Sequence, residues 1–228
     1  MTVDSHHERV AILFDIDGTL IVSGGAGALS WRMAFDELYG VPADIGKYTD
    51  AGMTDPQVGR LTFEKVIGRE PTTRELAQLL ARRQQYLPGA IAASKDYRVL
   101  PGVNELLPRL CGEGYLLGLT TGGTEAAAHA KLERAHLNRY FSFGGYGTAS
   151  NTRVELTREA ILRAGALAGR PLERDEILDV GDTPLDVDAA HQAGAVAVGI
   201  ATGHYSRAEL DEAGADYVLG SLEEELPL

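Results

Sequence analysis

The stretch Val10-Ala11-Ile12-Leu13-Phe14-Asp15-Ile16-Asp17-Gly18-Thr19-Leu20 decides how the rest of the sequence is interpreted. An apolar run of strand length ends in two aspartates one residue apart, and a Gly-Thr turn follows them. Like charges this close are costly unless a cation or a shared proton compensates them. A strand that ends in a sharp turn aims Asp15 at the carboxyl edge of a sheet, where open α/β folds bind ligands. The stretch therefore predicts a buried strand that delivers carboxylates to a ligand site.

Two later strand-like segments add to this predicted site. Ile177-Leu178-Asp179-Val180-Gly181-Asp182-Thr183-Pro184-Leu185-Asp186 is a second apolar run that ends in acidic residues. Leu116-Leu117-Gly118-Leu119-Thr120-Thr121-Gly122-Gly123 ends in hydroxyls and glycines, which can hold a phosphoryl oxygen next to a helix N-terminus. Carboxylates of this kind suit Mg²⁺, which takes one or two carboxylates together with water and phosphate oxygens. The pattern predicts a magnesium and phosphate site at one edge of a sheet.

These three segments, in this order, resemble the haloacid dehalogenase superfamily of phosphohydrolases, and the resemblance covers nearly the whole chain. It implies that Asp15 is the nucleophile, that Asp17 is the general acid/base, and that Thr121 binds the phosphoryl group. It also implies that Asp15, Asp17 and Asp182 hold Mg²⁺ and that Asp186 orients the metal site. The expected activity is magnesium-dependent hydrolysis of a small phosphate monoester through an aspartyl phosphate, as in the phosphoglycolate phosphatase-like branch.

The sequence departs from the family pattern at the cation that holds the nucleophile and the phosphate. The family usually places a lysine between the second and the last motif, but the only lysine in that interval is Lys131, which comes too early to match. Arg153, just before the next predicted helix, is the best positional match, and Arg158 and Arg163 are its rivals. Arginine stays charged and can bind phosphate with two hydrogen bonds. The predicted phosphate-binding residues are Thr121, Gly122 and Arg153.

Strand and helix patterns alternate in the second half of the chain. Apolar runs separated by helical stretches lie at 116–121, 177–180, 196–200 and 217–219. Such alternation is typical of βαβ units with a parallel sheet, and right-handed crossovers place the carboxyl ends of all strands at one edge. Helix starts are predicted by the capping boxes Thr152–Glu155, Ser206–Glu209 and Ser221–Glu224. The predicted fold class is α/β, with a Rossmann-like doubly wound parallel sheet.

The segment from about residue 21 to residue 100 shows helical patterns instead of strand alternation. Helical spacing runs over 26–39, and further helix starts follow Thr54 and Pro71. This predicts an α-helical cap at 23–99, inserted into a core that consists of residues 1–22 and 100–228. The cap is expected to select the substrate, and its candidate specificity residues are Thr54, Asp55 and Arg60.

Composition limits the partners and the location of the protein. A net charge of −12, from 21 basic and 33 acidic residues, argues against nucleic acid and anionic membranes, since both bind basic surfaces. The single cysteine, Cys111, cannot form an internal disulfide, which fits a reducing compartment. Residues 1–8 show no signal peptide, and the longest apolar stretch, 193–201, is too short to span a membrane. We expect a cytoplasmic monomer or homodimer that acts on a small phosphorylated metabolite.

Three other functions use parts of the same pattern. A haloacid dehalogenase would need Asp15 but neither Asp17 nor the acidic cluster for magnesium. A phosphomutase would retain every motif and differ mainly in how the cap binds a sugar. A catalytically silent phosphate-binding regulatory module would keep the fold without turnover, although the intact set of carboxylates argues against it. Simple hydrolysis is commoner on this scaffold, so phosphatase is the prediction and phosphoglycolate the family-level expectation for the substrate.

Overall fold

A parallel six-stranded sheet forms the centre of the computed structural model, which describes residues 9–147 and 152–228. The strands in chain order are β1 (Ala11–Phe14), β2 (Ile21–Val22), β3 (Arg98–Val99), β4 (Leu116–Thr121), β5 (Phe143–Tyr146), β6 (Ile177–Gly181), β7 (Val196–Ile200) and β8 (Tyr217–Leu219). The sheet has the order β5-β4-β1-β6-β7-β8, and all of its neighbours are parallel. Residues 1–8, on which the expectation about a signal peptide rests, lie outside the described residues.

Helices cover both faces of this sheet. The helices in chain order are α1 (Ala26–Tyr39), α2 (Asp55–Ile67), α3 (Thr73–Ala93), α4 (Val103–Glu113), α5 (Glu125–Glu133), α6 (Arg153–Ala168), α7 (Pro184–Ala193) and α8 (Arg207–Glu212). Side chains of β1 alternate between the two faces, as in any strand. Ile12 and Phe14 pack with α4 and α5, whereas Ala11 and Leu13 pack with α6 and α7. The predicted doubly wound α/β fold is confirmed.

The helices α1, α2 and α3 form a separate layer with its own apolar core. They follow β2 and precede β3, and these two short strands pair with each other in antiparallel fashion. Trp31, Phe35, Phe63 and Leu79 are buried together between the three helices. The predicted helical cap is therefore confirmed, while the division at 22/23 and 99/100 stays a prediction. In the described ranges, no helix is long and apolar enough to cross a membrane.

Two local features differ from the sequence-based prediction. The sequence does not predict the edge strand β5, because Gly144 and Gly145 weaken any strand pattern. Gly145 is required there, since a Cβ atom would overlap the backbone of Leu156 in α6. The predicted helix at Ser221 is wrong: residues 221–224 form only a turn. The carboxylate of Glu224 accepts a 2.9 Å hydrogen bond from the Gly220 amide, and the few residues that follow are too short to propagate a helix.

Candidate active site

The carboxyl ends of β1, β4 and β6 open into one cavity of about 430 Å³. β1 pairs with β4 on one side and with β6 on the other, so the three strand ends are adjacent. Asp15 and Asp17 reach the cavity after β1, Thr121 ends β4, and Asp182 follows β6. The sheet thus brings together side chains that are up to 167 positions apart in sequence.

Asp15 is buried and lies beside the guanidinium of Arg153. Nη2 of Arg153 donates a 2.6 Å hydrogen bond to Oδ1 of Asp15 and also contacts the carboxylate of Asp186. Burial raises the pKa of Asp15 to about 6; the charge of Arg153 opposes this shift, and the charge of Asp186 adds to it. Arg153 is the first residue of α6 rather than the residue before it, so its backbone is fixed by the helix start. Of the three arginines considered from the sequence, Arg153 is the one that lines the cavity.

Asp186 positions Arg153. Its Oδ2 atom accepts hydrogen bonds from the amide and the hydroxyl of Thr183, at 3.0 and 2.7 Å, within the capping box that starts α7. Its Oδ1 atom contacts Arg153. Asp186 is buried and does not line the cavity. The structure therefore places Asp186 behind Arg153, where it fixes the direction of the guanidinium.

Asp182 lies in a narrow space bordered by glycines. A Cβ atom at Gly18 or at Gly203 would overlap the Asp182 carboxylate, and Gly18 has φ of +90°, which other residues rarely adopt. Burial raises the pKa of Asp182 to about 9, and the negative charges of Asp15 and Asp186 add to the shift. A buried carboxylate beside other carboxylates is unfavourable unless a cation compensates it.

The turn after β4 contacts the cap as well as the cavity. Thr121 and Gly123 line the cavity, and the hydroxyl of Thr121 accepts a 3.3 Å hydrogen bond from the Gly123 amide. Gly122 is not one of the lining residues, and the binding of phosphate by its backbone amide stays a prediction. A Cβ atom at Gly122 would overlap the backbone of Met53 in the cap, and its carbonyl accepts a 2.7 Å hydrogen bond from the Asp55 amide. The glycine at position 122 therefore permits close contact between cap and core.

Of the predicted cap residues, only Asp55 reaches the cavity. Its carboxylate already lies 2.9 Å from Nη1 of the buried Arg83 and accepts a 3.1 Å hydrogen bond from the Thr124 amide. Thr54 is fully buried in the capping box of α2, and Arg60 is exposed on α2 away from the cavity. These positions do not fit the predicted contact of Thr54 and Arg60 with substrate. The sequence alone does not show which face of α2 turns toward the core.

Sequence reasoning missed two charged residues at this site. Lys131 is buried, lines the cavity and contacts Oδ2 of Asp17. Burial would raise the pKa of Asp17, but the charge and hydrogen bond of Lys131, with smaller contributions from Ser23 and Arg83, outweigh burial, so this pKa is lowered. Asp179 is buried in β6, accepts a 2.8 Å hydrogen bond from the Thr120 hydroxyl, and has a pKa raised by burial to about 7. Lys131 could have been found as a charge on the buried face of a helix, and Asp179 as a charge inside an apolar strand.

The donor set fits Mg²⁺ better than a metal held by side chains alone. No group of three or more His, Cys, Asp or Glu side chains in the described ranges is placed to hold a metal ion. Mg²⁺ needs only one or two carboxylates, since water and substrate oxygens complete its shell. Asp15 and Asp182 supply two buried carboxylates whose pKa values are raised by burial and by neighbouring carboxylates, so a cation between them would be favourable.

Comparison with known proteins defines the class of this chain. The family model for haloacid dehalogenase-like hydrolases matches residues 10–194. The phosphoglycolate phosphatase of Synechococcus elongatus is 30% identical over 214 residues, which cover 92% of this chain and 92% of that protein. The phosphoglycolate phosphatase of Rhodospirillum rubrum is 32% identical over 214 residues, which cover 90% of this chain and 84% of that protein. A hydrolase from Pseudomonas syringae has a similar crystal structure, with a TM-score of 0.71, 24% identity and 94% coverage of each chain.

The chain therefore belongs to the haloacid dehalogenase-like hydrolases. Within this family it is a phosphatase, that is, a phosphoric monoester hydrolase, like the relatives that it matches along most of its length.

Proposed function

We propose that the chain hydrolyses a small phosphate monoester with the help of Mg²⁺, through an aspartyl phosphate on Asp15. The contact between Arg153 and the buried Asp15, at the edge of an open cavity, carries this proposal. A carboxylate nucleophile must meet phosphorus in line while the negative oxygens of the ester are neutralised. Arg153 supplies a fixed cation at the nucleophile itself.

The proposed reaction has two steps, formation of the aspartyl phosphate and its hydrolysis. The carboxylate of Asp15 forms a bond to phosphorus while the bond from phosphorus to the leaving oxygen breaks. Arg153 and Thr121 bind oxygens of the transferring group, and Asp17 donates a proton to the leaving oxygen. Asp17 then takes a proton from the water that attacks the aspartyl phosphate, which releases inorganic phosphate and restores Asp15. The carboxylates of Asp15 and Asp182 and the backbone carbonyl of Asp17 would hold Mg²⁺, whose chemistry here is neutralisation of negative charge.

For the substrate we propose a phosphorylated carboxylic acid of the size of phosphoglycolate. A volume of about 430 Å³ suits a small molecule rather than a polymer. Arg98 on β3 lines the cavity and is exposed, and no carboxylate of the described residues forms an ion pair with it. Arg153 and Lys131, in contrast, already contact aspartates. Arg98 is thus available for a second anionic group, and phosphoglycolate is the substrate named for both relatives described above.

A panel of phosphate esters tests this proposal. The panel contains 2-phosphoglycolate, ethyl phosphate, p-nitrophenyl phosphate and glucose 1-phosphate, each with Mg²⁺ and with a chelator. We expect hydrolysis that stops on chelation and returns with Mg²⁺, and the highest kcat/KM on phosphoglycolate. Arg98→Gln should reduce the preference for phosphoglycolate over ethyl phosphate and leave the rate on ethyl phosphate unchanged.

Other outcomes point to the alternatives. An Arg98→Gln variant with the wild-type preference would remove Arg98 from the specificity site. Conversion of glucose 1-phosphate to an isomer without release of phosphate would support a phosphomutase. No turnover of any ester with any divalent metal would support a phosphate-binding regulatory module.

The cytoplasm remains the proposed location. Cys111 is exposed and is a free thiol, which suits a reducing compartment. Localisation of the tagged chain in fractionated cells is the direct test, and recovery outside the cytoplasm would contradict it.

A further inference from the structure

Lys131 occupies a position on α5 where an apolar side chain is the default. The buried residues of this helix are Ala127, Ala128, Lys131 and Leu132, which follow the helical period along one face. Burying an ammonium group costs several kcal/mol unless a partner compensates it. A lysine at a core-facing position therefore needs a specific anionic partner.

The partner of Lys131 is the candidate acid/base. Nζ of Lys131 contacts Oδ2 of Asp17, and this is the one ion pair that Lys131 forms with the described residues. The Lys131 side chain is 8% exposed, whereas the Asp17 side chain is 41% exposed. The ammonium thus holds Asp17 from the protein side, while the rest of that carboxylate faces the cavity.

The backbone of Lys131 is also held in place. The hydroxyl of Tyr97, just before β3, donates a 2.7 Å hydrogen bond to the Lys131 carbonyl. This carbonyl belongs to the last turn of α5, where no further helical amide is available to bind it. The guanidinium of Arg134 covers the ring of Tyr97, 4.7 Å from its centroid. These contacts fix the helix end from which the Lys131 side chain extends.

We propose that Lys131 is a positioning residue, which holds the Asp17 carboxylate in the orientation needed to exchange a proton with the leaving oxygen. The inference rests on the proposed function, in which Asp17 is the acid/base. Arg153 cannot take over this task, because its guanidinium is engaged with Asp15 and Asp186 on the side of the nucleophile. Arg153 and Lys131 thus have separate duties, Arg153 toward the phosphoryl group and Lys131 toward the proton donor.

The test compares substrates that differ in their need for a proton. An alkyl phosphate such as ethyl phosphate requires protonation of its leaving oxygen, whereas p-nitrophenyl phosphate releases p-nitrophenolate, a stable anion that needs no proton. The ratio of their kcat/KM values reports the step up to cleavage of the ester. General acid catalysis contributes roughly 10²- to 10⁴-fold, so Lys131→Met should lower the alkyl/aryl ratio by about tenfold or more. Lys131→Arg should recover part of the loss, and Lys95→Met, at an exposed lysine, should leave the ratio at its wild-type value.

Asp17→Asn serves as the reference variant. We expect it to lower the same ratio, and we expect Lys131→Met in the Asp17→Asn background to lower it no further, because both changes remove one interaction. If Asp17→Asn lowers the ratio and Lys131→Met leaves it unchanged or raises it, the role of Lys131 is wrong and the proposed function stands. If Asp17→Asn itself leaves the ratio unchanged, the acid/base assignment in the proposed function fails. Thermal melting shows whether each variant is folded.

Discussion

Nη2 of Arg153 lies 2.6 Å from Oδ1 of Asp15, although 138 positions separate the two residues in sequence. The contact joins the start of α6 to the end of β1, which lies in the middle of the sheet. A fixed cation at the nucleophile requires no reorganisation when negative charge develops in the transition state.

Arg153→Ala should lower turnover strongly. Losing one charge-assisted contact to the transferring group costs on the order of 2–4 kcal/mol, or roughly 30- to 1000-fold in rate. Arg153→Lys should retain more activity than Arg153→Ala, because lysine keeps the positive charge. It should be less active than the wild type, because an ammonium group cannot form the bidentate hydrogen bonds of a guanidinium. Steady-state kinetics on p-nitrophenyl phosphate measures both. The control is Arg158→Ala, which removes an exposed arginine that donates a 2.8 Å hydrogen bond to the Gln192 carbonyl. Equal rates for wild type and Arg153→Ala would contradict the assignment.

Asp15→Asn should abolish turnover and leave the fold intact. The amide has nearly the shape of the carboxylate but cannot attack phosphorus, so no aspartyl phosphate forms. Phosphate release from p-nitrophenyl phosphate is the measurement, with circular dichroism as the check on folding. Residual activity above about a hundredth of the wild-type rate, in protein shown by mass spectrometry to be free of deamidation, would falsify the nucleophilic role.

We expect the stability of the metal-free protein to depend on pH through Asp182. Its pKa is raised to about 9 in the folded chain, by burial and by neighbouring carboxylates, from 3.8 as the ordinary value. Between these pH values the folded state binds more protons than the unfolded state, so stability falls as the pH rises. In the presence of a chelator, the wild-type Tm should therefore be lower at about pH 8 than at about pH 5, and Asp182→Asn should reduce this difference.

The second measurement repeats the thermal melts with Mg²⁺ in place of the chelator. Since a ligand that binds only the folded state stabilises it, Mg²⁺ should raise the Tm of the wild type at about pH 8. It should have little effect on Asp182→Asn, which should also be inactive at ordinary Mg²⁺ concentrations. An equal rise of Tm in both proteins would show that the ion binds elsewhere.

Asp55→Asn should destabilise the cap, because the ion pair between Asp55 and Arg83 joins the cap helices α2 and α3. The change leaves the buried Arg83 without its carboxylate, and removing one partner of a buried ion pair costs about 3 kcal/mol or more. The free energy of unfolding, from denaturant titration, measures the loss. Asp44→Asn is the matched control, because Asp44 and its partner Lys47 are both largely exposed, and its effect should stay within about 0.5 kcal/mol. A loss for Asp55→Asn no larger than the control would mean that this ion pair does not hold the cap.

The strands of the sheet could largely be predicted from sequence, because each is an apolar run bounded by a turn or a capped helix. The predicted bounds of β4, β7 and β8 agree with the structure. The edge strand β5 could not be predicted, because Gly145 is selected by the approach of α6 and not by strand propensity. A contact between two distant elements leaves no local pattern in either segment.

The same physical limit applies to the site. Aspartates at strand ends are predictable, since the parallel sheet fixes where those ends meet. Lys131 lies too early in the chain to match the family lysine, although its place on the buried face of α5 brings it to Asp17. The sequence predicts a helix that begins after Thr54 and contains Arg60, but it does not predict how that helix is rotated relative to the core. Positions on the cap therefore depend on a docking geometry that only the folded chain supplies.

The central place of β1 in the sheet has a consequence for synthesis on the ribosome. The helices α1 to α3 pack against one another, and all three lie within residues 26–93. In contrast, Ala11 of β1 pairs with Leu116 and Ile177, which are synthesised much later. At 5–20 residues per second, roughly 10 to 30 s pass between the emergence of β1 and that of β6. We expect the cap to fold first on the nascent chain, which limited proteolysis of stalled chains would detect. During that interval the edge of this apolar strand that faces β6 has no partner, and we expect a chaperone to bind the nascent chain there.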